Sequence, residues 1–295
     1  MDYSLISEVS CGTGEGPVWI GAESALYWTD IPAKKIYRWH EPTQKLSHWD
    51  TPEMVGCFAH CTSGQWLAAM ESGLFKLLLK ENGECIAQKV ASVNHPDPNM
   101  RFNDGRCDRQ GRFFSGTMHF DLKAAHAIGS FYQYRHSGQL QNLLSGFICP
   151  NGLAFSPDGK ILYMSDSHPN VQTIWAFDYG IDDGVMHNRR VFVDMHHHQG
   201  RPDGAAVDAE GCYWICANDA GMVSRFTPEG KLDRSVEVPA AKPAMCAFGG
   251  DNLDTLYVTS IRPSGLTPDE QPLAGRVFAV DPGVKGLPEP SFKDS

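Results

Sequence analysis

The chain repeats one unit six times. Each unit opens on a segment rich in small residues, passes a polar turn, and answers with an aromatic or β-branched segment. The openings are EGPVW at 15–19, GCFAH at 56–60, NDGRCD at 103–108, NGLAF at 151–155, DGAAVD at 203–208 and AMCAF at 244–248. The answers are ALYWTD at 25–30, WLAAM at 66–70, RFFSG at 112–116, ILYMSD at 161–166, YWICA at 213–217 and LYVTS at 256–260. Counted from Gly16, the next starts are Gly56, Gly105, Gly152, Gly204 and Ala244, at spacings of 40, 49, 47, 52 and 40. A period of about 40–50 residues with room for four strands is the mark of propeller blades. A sandwich or a barrel would not hold such a period over the whole length. The spacing predicts an all-β fold, a six-bladed β-propeller with four-stranded antiparallel blades around a central channel. With no linker or shift in composition, 1–295 reads as one domain. Residues 4–9 (SLISEV) are expected to complete the last blade beside VFAVD at 277–281, which leaves no bare sheet edge. The tail GLPEPSFKDS at 286–295 is expected to be an exposed surface strand or a loose end.

Charge narrows the partners. Twenty-five basic against 35 acidic side chains leave a net −10. That balance argues against a general binder of nucleic acid or of anionic membranes, although a local arginine can still hold a small acidic substrate. The first residues show neither a basic nor an apolar leader, and no apolar run approaches the roughly 18 residues a membrane span needs. Nine cysteines, odd in number and without a Cys-x-x-Cys pair, read as reduced core thiols of a cytoplasmic protein. A propeller closes on itself, so a monomer is expected.

In a propeller the first residues of the innermost strands converge at one mouth of the channel. The repeat places Glu15, Asn103 or Asp104, Asn151 and Asp203 there. Any one of these acid- or amide-glycine pairs alone reads as a turn. Several in phase point to oxygen ligands for a hard divalent cation such as calcium, magnesium or manganese, and zinc or iron would also be accepted. Glu15, Asn151 and Asp203 make three protein ligands and leave positions open for water and substrate. Arg101 lies two residues from Asn103, on the same face of an extended segment. Its fork of donors suits a hydroxyl, a carbonyl or a carboxylate.

These residues sit in GEGPVW at 14–19, LYWTD at 26–30, RFNDGRCD at 101–108, PNGLAFSPDG at 150–159 with LYMSD after it, and RPDGAAVD at 201–208. In that order the motifs resemble the senescence marker protein/gluconolactonase family, which includes regucalcin and bacterial sugar lactonases. The resemblance spans nearly the whole chain. It implies a six-bladed propeller with one divalent metal (calcium, zinc, manganese, magnesium or iron(II)) on Glu15, Asn151 and Asp203. It implies substrate contacts from Arg101 and Asn103, with Asp203 as general base. The implied reaction is hydrolysis of a pentono- or hexonolactone to its aldonic acid, so the expected partner is a small sugar lactone. The segment 118–128, MHFDLKAAHAI, falls where members vary, and His119 and Asp121 are expected to help shape the substrate mouth.

No G-x-S-x-G elbow is present, which argues against an acyl-enzyme route. His196, His197 and His198 cannot all face one point from a strand, and read as a loop. Cys212 and Cys216 share a strand face without further ligands. The competing readings are a hydrolase of non-sugar lactones or organophosphate esters, a calcium-binding propeller without turnover, and a protein-interaction propeller.

Overall fold

A computed structural model describes residues 3–265, 267 and 269–294. Six four-stranded antiparallel sheets form the blades of a propeller. The innermost strands, in chain order, are Gly14–Ile20, Cys57–His60, Met100–Cys107, Pro150–Phe155, Arg201–Val207 and Pro243–Gly249. Blades one to five each run from inside to outside along the chain. The sixth takes three strands from the C-terminal region and its outermost strand, Tyr3–Ser7, from the N-terminal region. Tyr3 lies opposite Val280 and Leu5 opposite Phe278, as expected for the closing strand.

Burial explains why the strands read as apolar runs instead of alternating. Each blade packs on two neighbours, so its second strand is covered on both faces. Ala25–Asp30, Ile161–Asp166 and Tyr213–Asn218 are buried along nearly their whole length. Aromatic rings fill the wedges between blades. Tyr27 meets Trp66 at 4.5 Å between ring centroids, Tyr163 meets Tyr213 at 5.1 Å, and Trp19 stacks on Tyr257 at 5.4 Å across the junction of the first and last blades. The outer strands, such as Cys85–Ser92, are largely exposed or half-buried.

The last residue of the second strand anchors the chain entering its own blade. Asp30 accepts the backbone N–H groups of Gly12 and Thr13, and Asp166 accepts those of Ile148, Cys149 and His168. These bonds fix the approach to Glu15 and to Asn151.

The tail corrects the expectation of a loose end or exposed strand. It runs as a strap across the channel end opposite the mouth, from the fifth blade to the second and third. Gly286 bridges Asp208, and Phe292 bridges Cys61. Between them Glu289 pairs with Arg106 at 3.4 Å. Phe292 is 1% exposed and stacks on Tyr134 at 5.6 Å. Among the described residues, no helix is long and apolar enough to cross a membrane.

Candidate functional site

Five of the six innermost strands slip register near their first residues. The slips fall between Glu15 and Val18, Phe102 and Gly105, Asn151 and Ala154, Pro202 and Ala205, and Pro243 and Cys246. Such bulges bend a strand and re-aim its side chains. Gly16 (φ +56°) and Gly152 (φ +64°) hold left-handed backbone in them, which a side chain would strain. The second blade pairs without a slip and sends no side chain to the mouth. The sixth slips, but beside apolar Ala244 and Met245.

The mouth is a cavity of about 350 Å³ whose walls include Glu15, Arg101, Asn103, Asn151 and Asp203. The structure thus gathers five of the eight site candidates named from the sequence. Of the pair left open, Asn103 lines the cavity. Asp104 turns aside, and its Oδ2 accepts the N–H of Leu153. His119 and Asp121 lie outside the lining. His119 Nε2 is 3.5 Å from Asp97, and exposed Asp121 caps a short turn by accepting the N–H of Lys123. Met118 and Leu122 are the parts of that segment that reach the cavity wall.

A hydrogen-bonded chain links three blades around the mouth. Arg101 Nη1 donates to Asn103 Oδ1 at 2.8 Å. Asn103 Nδ2 donates to Asn151 Oδ1 at 2.9 Å, and Asn151 Nδ2 donates to Ser167 Oγ at 2.5 Å. Ser167 Oγ donates to the carbonyl of Pro202, beside Asp203. Asn218 Nδ2 then donates to Asp203 Oδ2 at 2.7 Å. These bonds set the side-chain orientations, so the site is organised before any substrate arrives.

The electrostatics are unbalanced. Burial pushes the Glu15 carboxyl well up, and the charges of Asp203 and Asp104 push it further. Burial likewise raises Asp203 to about 7, against the pull of its bond from Asn218 and the charge of Arg201. Glu15 Oε1 and Asp203 Oδ1 have no hydrogen-bond partner among the described residues. Two buried carboxylates that raise one another's proton affinity fit a divalent cation, which would supply the missing positive charge. Among the described residues no three His, Cys, Asp or Glu gather as a metal site. The third oxygen donor here is the amide of Asn151. Cys149 also lines the cavity, but burial pushes its thiol well up, so it is neutral and not a nucleophile.

A family model described as SMP-30/Gluconolactonase/LRE-like region matches residues 13–262, which carry every one of these groups. The chain belongs to this family. Among its relatives, the 6-deoxy-6-sulfogluconolactonase of Pseudomonas putida is 36% identical over 283 residues, 95% of this chain and 94% of that one. The regucalcin of Danio rerio is 35% identical over 283 residues, with the same coverage. A crystal structure described as a calcium-binding protein, regucalcin, from Agrobacterium tumefaciens superposes with a TM-score of 0.91 at 27% identity, covering 99% of this chain and 97% of that one.

Within this SMP-30/gluconolactonase fold, sequence reasoning missed Ser167, Arg201, Asn218 and Lys242, all on the cavity wall. Asn218 was within reach: it occupies the strand-end place that Asp30 and Asp166 fill in their own blades. His196 sits in a short 3₁₀ turn paired with Asp194, away from the mouth, consistent with the loop reading.

Proposed function

We propose that this protein hydrolyses an aldonolactone, a pentono- or hexonolactone, to its aldonic acid with one divalent cation held by Glu15, Asn151 and Asp203. The observation that carries this reading is the uncompensated pair of buried carboxylates beside an amide oxygen, with an arginine and an asparagine preset next to them. The naming of one relative as a sulfogluconolactonase supports the lactone as substrate.

A lactone is a cyclic ester, and its opening needs an activated water and compensation for the negative charge that grows on the carbonyl oxygen. A divalent cation held by Glu15, Asn151 and Asp203 would supply that positive charge. Asp203 takes the proton from the attacking water. Its Oδ2 accepts a hydrogen bond from Asn218, which fixes the orientation of the carboxylate. Arg101 and Asn103 grip ring hydroxyls or the ring oxygen, and their mutual bond fixes both. The apolar walls, Met118, Leu122 and Ile261, exclude water from the sugar's less polar face.

The test is lactone opening followed by pH indicator on a panel of pentono- and hexonolactones, with uncatalysed opening subtracted. Metal-stripped protein is compared with protein resupplied with calcium, manganese, zinc, magnesium or ferrous iron. Activity lost on stripping and restored by at least one ion is the expected result. Tight calcium binding with no turnover on any lactone would replace this reading with the non-catalytic propeller. Arg101→Ala is expected to raise KM on sugar lactones by about tenfold or more, as loss of a charge-assisted contact does, with metal content unchanged by elemental analysis. Unaltered kinetics would remove Arg101 from substrate binding.

A further inference from the structure

Two basic side chains at the rim of the cavity share a single salt-bridge partner. Arg201 and Lys242 both line the cavity wall. Both pair with a single carboxylate, Asp219: Arg201 Nε donates to one oxygen at 2.7 Å and Lys242 Nζ to the other. Asp219 is not part of the cavity wall, and its side chain is 43% exposed. Two cations therefore share one anion that sits behind them. Their remaining donors are loosely committed. Arg201 Nη1 is 3.5 Å from the Ser167 carbonyl and Nη2 is 3.3 Å from Asn218 Oδ1. Lys242 Nζ has no other hydrogen-bond partner among the described residues.

The place of this charge matters. Arg201 precedes Asp203 by two residues on the same strand. The strand slips between Pro202 and Ala205, and both side chains nevertheless line the cavity. The reacting carbonyl belongs at the Asp203 end. Arg201 and Lys242 stand on the same cavity wall as Asp203, so a substrate with its carbonyl at Asp203 can place another of its groups against them. A neutral hydroxyl there would need a single donor or acceptor. A guanidinium and an ammonium lining one cavity are matched by an anion, because an opposite charge offsets their desolvation. In a chain of net charge −10, a local cationic rim also draws an anionic substrate toward the mouth.

Taking the lactonase reading above as its basis, we propose that the preferred lactone carries an anionic group on the carbon farthest from the carbonyl, and that Arg201 and Lys242 bind that group. Carboxylate, phosphate and sulfonate share the chemistry. The test measures kcat/KM of metal-loaded enzyme on gluconolactone and on its counterparts bearing a terminal carboxylate, phosphate or sulfonate. At least one anionic lactone is expected to be preferred about tenfold or more over the neutral one, and the best arm identifies the anion. Arg201→Ala and Lys242→Ala are each expected to cut that preference about tenfold, mainly through KM, with Arg201→Lys restoring part of it. The ratio is the readout because the Arg201 charge also holds down the proton affinity of Asp203, an effect common to every substrate. A neutral lactone opened as well as all the anionic ones, or a preference that survives both alanine variants, would overturn the proposal and leave lactone hydrolysis standing. No opening of any lactone, neutral or charged, would overturn the hydrolase reading and this proposal with it.

Discussion

Asp203→Asn is expected to lower kcat for lactone opening by about 10²- to 10⁴-fold, the range that loss of a general base produces, without lowering the melting temperature of the metal-free protein. Both halves of this expectation come from the same burial. Asp203 and Glu15 are carboxylates taken out of water near one another, and each makes the charge of the other more costly. Asparagine has the same shape, and its Oδ1 can still accept the bond from Asn218 Nδ2. The substitution removes one of two repelling charges and leaves the packing intact. Metal-free Asp203→Asn should therefore melt at the wild-type temperature or above it, as expected where a site is arranged for chemistry at the expense of stability. Thermal melts after chelation, set beside initial rates with metal restored, check both. Wild-type turnover would remove Asp203 as the base. A clear fall in melting temperature would mean that Asp203 is held by a compensation the geometry does not reveal.

Phe292→Ala is expected to destabilise the protein by about 3–5 kcal/mol, the cost of deleting a fully buried aromatic ring. The ring lies among Cys61, Leu67, Phe113 and Tyr134, residues of the second and third blades. Its removal opens a cavity and unseats the strap that closes the far end of the channel. Asp294 fastens the same strap. It accepts bonds from Thr62 Oγ1, Ser63 N, Ser63 Oγ and Lys76 Nζ. Burial works against its charged form, but the bonds from Lys76, Ser63 and Thr62 outweigh that and hold the carboxyl well below the usual range. A carboxyl lowered in the folded state stabilises fully above its unfolded pKa of about 3.9, and that contribution fades as pH falls toward the folded value. Asp294→Ala should thus cost stability at neutral pH and progressively less on acidification below about pH 4. Denaturant midpoints at several pH values check both substitutions. A midpoint for Phe292→Ala equal to wild type would make the tail a bystander on the propeller surface.

The blades were legible because their cause is local. Each unit must bury two faces, so its second strand carries an apolar run whatever the neighbours are, and the runs ALYWTD, ILYMSD and YWICA mark time along the chain. The closing strand was legible for a related reason: a short strand with no unit of its own has one free edge to fill. Glu15, Asn151 and Asp203 were legible through phase. Each precedes the glycine of its unit, and six-fold repetition converts equal phase into one place in space.

The choice between Asn103 and Asp104 was not legible. Both fall inside the slip between Phe102 and Gly105, and a slip of one residue exchanges the face a side chain points to. The strap was hidden because its large apolar residues are only Leu287 and Phe292, in a proline-bearing polar stretch with no strand pattern. The hole that takes the ring is built by residues such as Cys61, 231 positions earlier. His119 and Asp121 marked the right segment but not the right atoms. The turn after His119 spends their polar groups on its own backbone and on Asp97, and presents Leu122 to the mouth.

By itself, then, the sequence determined the number of blades, the way the ring closes and that Glu15, Asn151 and Asp203 share one phase, because periodic burial and phase are written residue by residue. Tertiary structure alone decided which side of each bulge faces the channel, what seals its far end, and that Arg201 and Lys242 share one aspartate at the rim. Those outcomes depend on through-space charge and packing between segments with no pattern in common.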